Sequence, residues 1–321
     1  MKVLIFGGNS RLARRIKRHD FDIFPGIVPG EVLLLPREEV DVRSVSDVLF
    51  ALELYTPDVA VNCAAYTDVD GCQRSPDHAI AVNGLGAANI AMACRMREVP
   101  LVHISTDYVF PGTNGPKDVN APTYPVNTYG LSKLLGESSV LSLMPVGAIV
   151  IRVGWLYGVE YEKSQPMVAA TQGGLRVDHL PGKAYIYDNI KGTPTFVGDA
   201  STHVRRTAYE LAVTRWGGQR ESFIVHASPD ESPVSWYEFL LQDFNVVPLR
   251  DGTYRGASVV TGDGRPVSTM AKTARNGRTY RPTEGGLIPS EGWATGSYRS
   301  GLDSFISEFR ETFHTKTGAG T

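Results

Sequence analysis

Apolar and polar positions fall into repeating blocks along the first half of the chain. Lys2 to Phe6 is an apolar run of strand length, and a glycine-containing turn follows at once. Leu12 and Ile16 then repeat at helical spacing, on a segment whose other positions carry Arg11, Arg14, Arg15, Lys17 and Arg18. The unit recurs. Glu31–Leu35 reads as a strand, Ser44–Tyr55 as a helix, Asp58–Asn62 as a strand and Ser75–Met96 as a long helix. Leu101–Ile104 is a strand again, a helical pattern opens at Tyr129, and Gly147–Val153 is another strand. Short apolar runs alternating with helices predict an α/β fold, a doubly wound parallel sheet covered on both faces. Such sheets bind ligands beyond the carboxyl ends of their strands. Cys63–Asp68, Ser105–Tyr108 and Gly154–Trp155 follow strand ends and are the segments in which to seek chemistry.

Beyond residue 158 the alternation weakens. Met167–Ala170 reads as helical, Ala184–Tyr187 as a strand, Asp199–Val213 as a helix, Phe223–His226 as a strand and Ser235–Phe244 as a helix. Tyr254–Ser300 is rich in Gly, Arg, Thr and Ser and shows no usable period, whereas Leu302–Phe313 is amphipathic. Thr315–Thr321 reads as a disordered tail.

Composition narrows the classes. A chain of 321 residues buries a full core, and 42% hydrophobic with 21% charged residues is globular usage. The net charge of −2 provides no general attraction to nucleic acid or anionic membrane. No apolar run is expected to reach the length of a membrane span, and MKVLIFGG reads as a strand and not as a signal peptide. Cys63, Cys72 and Cys94 lack metal-ligand spacing, so free thiols in a reducing cytoplasm are expected.

Two constellations carry chemistry. Tyr129 and Lys133 lie four residues apart at a helix start, which puts both on one face. An ammonium beside a phenol favours the phenolate, so the sequence predicts a lowered tyrosine pKa and a proton donor. Ser105 and Thr106, at the end of the preceding strand, can bring a hydroxyl to the same carbonyl oxygen. Tyr187 and Lys191 share the spacing, but Gly192-Thr193-Pro194 follows, through which no helix continues.

The second constellation is the turn after the first strand. A Gly-x-x-Gly-x-x-Gly turn delivers backbone N–H groups and a helix N-terminus to a pyrophosphate. Here Gly7, Ser10 and Ala13 occupy those positions, with Arg11 in the turn as the residue nearest a phosphate. At the end of the second strand an acidic residue would favour NADH, whereas arginine suits a 2′-phosphate. Arg37 stands there, so NADPH is expected, and Glu38 keeps NADH open.

With those residues placed, the chain resembles the extended short-chain dehydrogenase/reductases, and among them the dTDP-4-dehydrorhamnose reductases. The matching stretches are MKVLIFGGNSRLA, DVAVNCAAYTDVDGCQRSPDHAIAVN, VPLVHISTDYVF, NTYGLSKLLGE, IVIRVGWLYG and KGTPTFVGD, over about the first 200 residues. The resemblance implies a Rossmann-type domain over 1–158, rejoined by 192–226, and a smaller substrate-binding lobe over 159–191 and 227–314. It implies Thr106, Tyr129 and Lys133 as the catalytic trio, with Ser105 as the neighbouring alternative. Gly7, Asn9, Arg11, Leu12, Asp41, Val42, Ala64 and Ala65 would run along the cofactor. Thr67, Val69, Asp107, Tyr108 and Trp155 would surround the sugar of a nucleotide-sugar substrate. Arg15 occupies the position where members that share a Mg²⁺ across a dimer carry a carboxylate, so no metal is expected, while a homodimer stays open. The implied reaction is reduction of the C4 ketone of a 4-keto-6-deoxyhexose. The alternatives are a nucleotide-sugar epimerase or dehydratase, and a non-catalytic NADP-binding regulatory subunit.

Overall fold

The structure is a computed structural model that describes residues 1–18, 31–158, 175–177, 184–186, 190–214, 221–236, 238–239, 279–304 and 307. In chain order its elements begin with β1 (Lys2–Phe6), α1 (Arg11–Arg18), β2 (Glu31–Leu35), α2 (Val45–Tyr55), β3 (Val59–Asn62) and α3 (Val69–Arg74). Next come α4 (Pro76–Ala79), a π-helical segment over Ile80–Leu85, and α5 (Gly86–Met96). β4 (Leu101–Thr106), α6 (Thr128–Leu143), β5 (Ala148–Val153), β6 (Trp155–Tyr157), β7 (Leu175–Val177) and β8 (Ala184–Ile186) follow. The described elements end with β9 (Lys191–Gly192), β10 (Pro194–Phe196), α7 (Val197–Thr214), β11 (Phe223–Pro229), β12 (Val234–Ser235) and β13 (Ala294–Thr295).

Seven strands form one sheet in the order β13-β11-β5-β4-β3-β1-β2, with every pair parallel. The fold is the expected Rossmann-like doubly wound α/β arrangement. All four positions of β3 and all six of β5 are buried, because helices cover both faces and leave no polar side. Alternate residues feed two cores. Val3, Ile5, Val61, Val102 and Ile151 pack with α1 and α7, while Leu4, Phe6, Ala60, Leu101 and Val150 pack with α2, α5 and α6. The order reverses between β1 and β3, so the glycine turn after β1 and the Cys63 segment after β3 flank one crevice.

Several elements differ in detail from their sequence pattern. Ser44 is the N-cap of α2, its hydroxyl accepting from the Asp47 N–H at 3.3 Å. The long helix expected from Ser75 begins at Pro76 and is interrupted by the π-helical segment, which carries the buried Asn83. Over Pro76–Met96 its length and composition reach those of a membrane span, more than the sequence pattern allowed. It serves here as a core helix, with Ala87, Ile90, Ala91 and Cys94 buried and α5 packed against α2 and α6. Phe223–Pro229 joins the main sheet beside β5, as the strand expected there, and extends three residues further. Lys191 lies in a strand and not on a helix, while its sequence partner Tyr187 lies outside the described residues. Met167–Ala170, most of Ser235–Phe244, most of Leu302–Phe313 and the tail 315–321 also lie outside them. Within the aperiodic stretch 254–300, the described part contributes β13 and a helix over 298–304.

Candidate active site

α6 is built to bring its first turn close to the end of β4. Asn127 caps it, accepting from the Gly130 N–H at 2.8 Å through Oδ1 and donating to the Tyr280 carbonyl at 3.0 Å through Nδ2. Gly130 is required by the approach, since a Cβ there would lie 2.1 Å from the Tyr108 carbonyl oxygen. Tyr129 and Lys133 follow on the face turned to β4. The Lys133 Nζ donates to the Ile104 carbonyl at 2.6 Å. The Thr106 hydroxyl donates to Asp107 Oδ1 at 3.1 Å and accepts from the Tyr108 N–H at 3.3 Å. The rings of Tyr108 and Tyr129 meet edge to face with centroids 5.6 Å apart.

Burial dominates the electrostatics. It raises the Tyr129 phenol above its ordinary range, and a hydrogen bond with the Thr106 hydroxyl opposes the rise only in part. The lowered tyrosine pKa expected from the neighbouring lysine is therefore corrected: removal from water raises it, and the Lys133 Nζ is held by the Ile104 carbonyl. Burial likewise lowers Lys133 to about 8, opposed by the Glu137 carboxylate. Asp107 is raised to about 7 by burial, with the Thr106 hydroxyl working against the shift. The Cys63 thiol is pushed up to about 12 by burial and stays neutral.

The glycine turn lies at the other end. Gly7 has φ +76°, and a Cβ there would stand 2.5 Å from Ala64 Cα, so the turn and the segment after β3 touch backbone to backbone. Asn62 Oδ1 fixes that segment by accepting from the Ala64 N–H at 3.0 Å. Ser10 accepts from the Ala13 N–H at 3.1 Å and so caps α1, whose first turn carries no acidic residue. Arg11 Nη1 donates to the Leu156 carbonyl at 2.9 Å. Asn9 joins Glu38 and Arg14, each at 3.2 Å. Asp41 is paired with Arg43, which holds its carboxyl at about 2. A tight glycine, a helix start free of carboxylates and two guanidiniums, Arg11 and Arg37, suit the phosphates of a dinucleotide.

One cavity of about 510 Å³ connects the two ends. Gly7, Asn9, Ser10, Arg11, Leu12, Arg37, Asp41, Val42, Ala64 and Ala65 line it, together with Thr67, Val69, Thr106, Asp107, Tyr108, Tyr129, Lys133 and Trp155. Every site residue named from the sequence thus faces the same space. Ser105, the alternative hydroxyl, also lines it, but its Oγ is buried without a hydrogen-bond partner.

Two residues escaped the sequence. Trp236 lines the cavity and stacks on Trp155 with centroids 3.8 Å apart and planes 9° from parallel. Asn83 accepts from the Tyr66 N–H at 2.7 Å and donates to Ser132 Oγ at 2.9 Å, and that hydroxyl donates to the Tyr129 carbonyl at 2.8 Å. It thereby ties the segment after β3 to the helix of Tyr129 and Lys133. Its only sequence signal was a polar side chain in an apolar helix.

Comparison with known proteins decides the family. The RmlD substrate binding domain profile matches residues 1–291. The chain belongs to that family. A relative named dTDP-4-keto-6-deoxy-D-glucose reductase from Streptomyces niveus is 30% identical over 268 residues, 82% of this chain and 85% of that protein. A relative from Streptomyces antibioticus, named probable dTDP-4,6-dihydroxy-2-methyloxan-3-one 4-ketoreductase, is 30% identical over 100% of this chain and 99% of its own. The crystal structure of dTDP-4-dehydrorhamnose reductase from Bacillus anthracis str. Ames in complex with NADP superimposes with a TM-score of 0.75 at 25% identity. That match covers 96% of this chain and 99% of that one. Within the RmlD fold Arg15 is buried, its guanidinium 5.3 Å from the Phe196 ring centroid. Among the described residues no three His, Cys, Asp or Glu side chains gather to hold a metal ion.

Proposed function

We propose that this RmlD-family protein is an NADPH-dependent oxidoreductase that reduces the C4 ketone of a nucleotide-linked 4-keto-6-deoxyhexose, with dTDP-4-dehydrorhamnose, giving dTDP-L-rhamnose, as the leading substrate. The observation that carries the reading is one cavity running from the Gly7 turn to Thr106, Tyr129 and Lys133 at the carboxyl ends of the strands. The dinucleotide supplies the hydride when bound. Gly7, Asn9, Ser10, Arg11 and Leu12 hold its phosphates, Val42, Ala64 and Ala65 its flanks, and Arg37 and Asp41 its adenosine end. Arg37 favours the 2′-phosphate, and NADH is accepted less well.

The chain supplies the proton. Tyr129 keeps its proton through the physiological range because burial raises its pKa, so the phenol is loaded as the acid. It donates to the substrate oxygen as alkoxide character develops, and the Thr106 hydroxyl orients the same oxygen. Acid catalysis of this kind contributes about 10²–10⁴ in rate. Lys133 holds the ribose hydroxyls and offsets the tyrosinate that remains until it is reprotonated from solvent. Thr67, Val69, Asp107, Tyr108 and Trp155 surround the sugar, and 159–191 with 227–314 supply the lobe that selects the nucleotide. The reaction belongs in the cytoplasm, where Cys63, Cys72 and Cys94 persist as thiols.

Asp107 supports a second reading. A carboxyl raised to about 7 directly after Thr106 is a group that a dehydratase would use as acid and base. Net consumption of NADPH separates the two, because a dehydratase returns its cofactor unchanged. The test follows NADPH loss with dTDP- and UDP-4-keto-6-deoxyhexoses, with and without a 3,5-epimerase. Epimerase-dependent loss with the dTDP sugar is expected. Loss without the epimerase keeps the reductase and moves the substrate toward the D-glucose-type ketone. No loss while NADPH still binds contradicts the proposal and favours a regulatory role.

A further inference from the structure

Behind Lys133 lies a buried charge cluster that lines no part of the cavity. Glu137 follows Lys133 by one helical turn on α6, and the two therefore share a face. Glu137 is 1% exposed and Arg152, on β5, 3%. Arg152 Nε meets Glu137 Oε1 at 2.9 Å and Nη2 meets Oε2 at 2.7 Å, a bidentate pair. The remaining nitrogen, Nη1, lies 3.3 Å from His226 Nε2, and His226 Nδ1 lies 3.1 Å from the Ile288 carbonyl. These partners define the tautomer, with the proton on Nδ1 given to Ile288 and Nε2 accepting from Arg152. The Phe110 ring closes the guanidinium face at 4.9 Å.

A buried ion pair gains little over an apolar pair of the same volume, so stability alone does not account for this one. Its placement does. Arg152 occupies both Glu137 oxygens, so the carboxylate acts on Lys133 through its field without drawing the ammonium away from Ile104 and the cavity. We propose that Glu137, braced by Arg152, is a positioning residue that keeps the Lys133 ammonium charged and directed at the reacting centre. This rests on the reading of Lys133 as the lysine of the reductase.

The other groups facing Lys133 do not supply that charge. Cys63, after β3, is neutral, and His103, on β4, is held neutral by burial and then by Lys133 itself. Tyr129, on the same helix, keeps its proton, and Asp107, after β4, ionises near 7 but is not among the charges that act on Lys133. Among the groups that act on Lys133, Glu137 is the leading one opposing its desolvation.

The sign follows. Loss of the Glu137 charge lets burial act unopposed, so Lys133 deprotonates at lower pH and the alkaline limb of kcat/KM moves down. Removing one opposite charge at this range shifts a buried group by about one pH unit or more. The experiment measures two quantities for Glu137→Gln, for Glu137→Gln with Arg152→Met, and for Arg152→Lys. One is the alkaline limb of kcat/KM. The other is the pH midpoint of Lys133 acylation by a small reagent, followed by peptide mass spectrometry, which needs no turnover. The double variant leaves no unpaired buried charge and guards against misfolding of the single one. Glu137→Gln should show both midpoints lowered by about one unit or more. The double variant, which also removes the opposing Arg152 charge, should show a smaller lowering in the same direction, and Arg152→Lys, which keeps that charge, no comparable shift. A loss of thermal stability with both midpoints unmoved would overturn the proposal and leave the pair merely structural. Lys133→Met separates the two levels: full turnover in that variant overturns the reading of Lys133 as the lysine of the reductase, whereas lost turnover there with unmoved midpoints in the Glu137 variants overturns only the role of Glu137.

Discussion

Tyr129 and Asp107 stand a few ångströms from the same hydroxyl and are tuned in different ways. Both are raised by burial, yet Tyr129 remains an acid across the working range while Asp107 titrates near neutrality. Tyr129→Phe removes the acid and keeps the ring against Tyr108. It should lower kcat by about 10²–10⁴ with little change in NADPH affinity, read by fluorescence titration. Full turnover in that variant would refute its role.

Asp107 makes a linkage prediction. Its folded pKa, about 7, lies above the ordinary 3.8, so the native state holds the proton more tightly than the unfolded chain between those values. Stability from this group is greatest below the lower value and is lost as pH rises through the upper one. Asp107→Asn abolishes the titration. Its stability relative to the parent should rise between about pH 4 and pH 7, reaching a few kcal/mol in order of magnitude at pH 8. Urea unfolding at both pH values checks it, and an equal difference at the two would contradict it. At this scale the sequence named the residues well, because each followed a strand end or a helix start. It misjudged the sign at Tyr129, since sequence shows which charge is near but not how much water is lost. It missed Trp236, whose place against Trp155 depends on contacts across 81 positions of chain.

α6 shows how an element carries the site. Its cap, its two glycines facing neighbours and its hydroxyl link to Asn83 all set where Tyr129 stands. Gly136 repeats the device of Gly130 six residues later, where a Cβ would lie 2.4 Å from the Asn83 carbonyl oxygen. Gly130→Ala should push α6 away from the β4 end, costing about 1–3 kcal/mol and lowering kcat more than it changes NADPH affinity. Thermal unfolding with steady-state kinetics tests this, and an unchanged kcat would contradict it. Long elements were legible from their periodicity. Most pieces of two or three residues, β6, β7, β9, β10, β12 and β13, were not, because so short a run has no period and is held by its partners, although β8 falls within the strand expected over Ala184–Tyr187. The π-helical segment was hidden for a related reason: a change of hydrogen-bond partner within one or two turns has no composition signature of its own.

The whole molecule gathers residues from position 7 to position 236 around one space, and it does so through the order of its strands. Alternating blocks predicted a parallel sheet, but strand order follows from packing and not from any local pattern. The reversal between β1 and β3 is what brings the glycine turn next to the Ala64 segment. β11, more than 60 residues beyond β5 in the chain, pairs with it and carries His226 to Arg152. Hydride delivery to one carbon of the sugar is the claim on which this architecture rests. NADPH deuterated at the transferable position, incubated with the 4-keto-6-deoxyhexose nucleotide and followed by NMR of the product, tests it directly. Deuterium should appear at C4 of the sugar, one per NADPH oxidised. Its absence from the sugar, or its presence at another carbon, would contradict the assignment of Thr106, Tyr129 and Lys133 to ketone reduction.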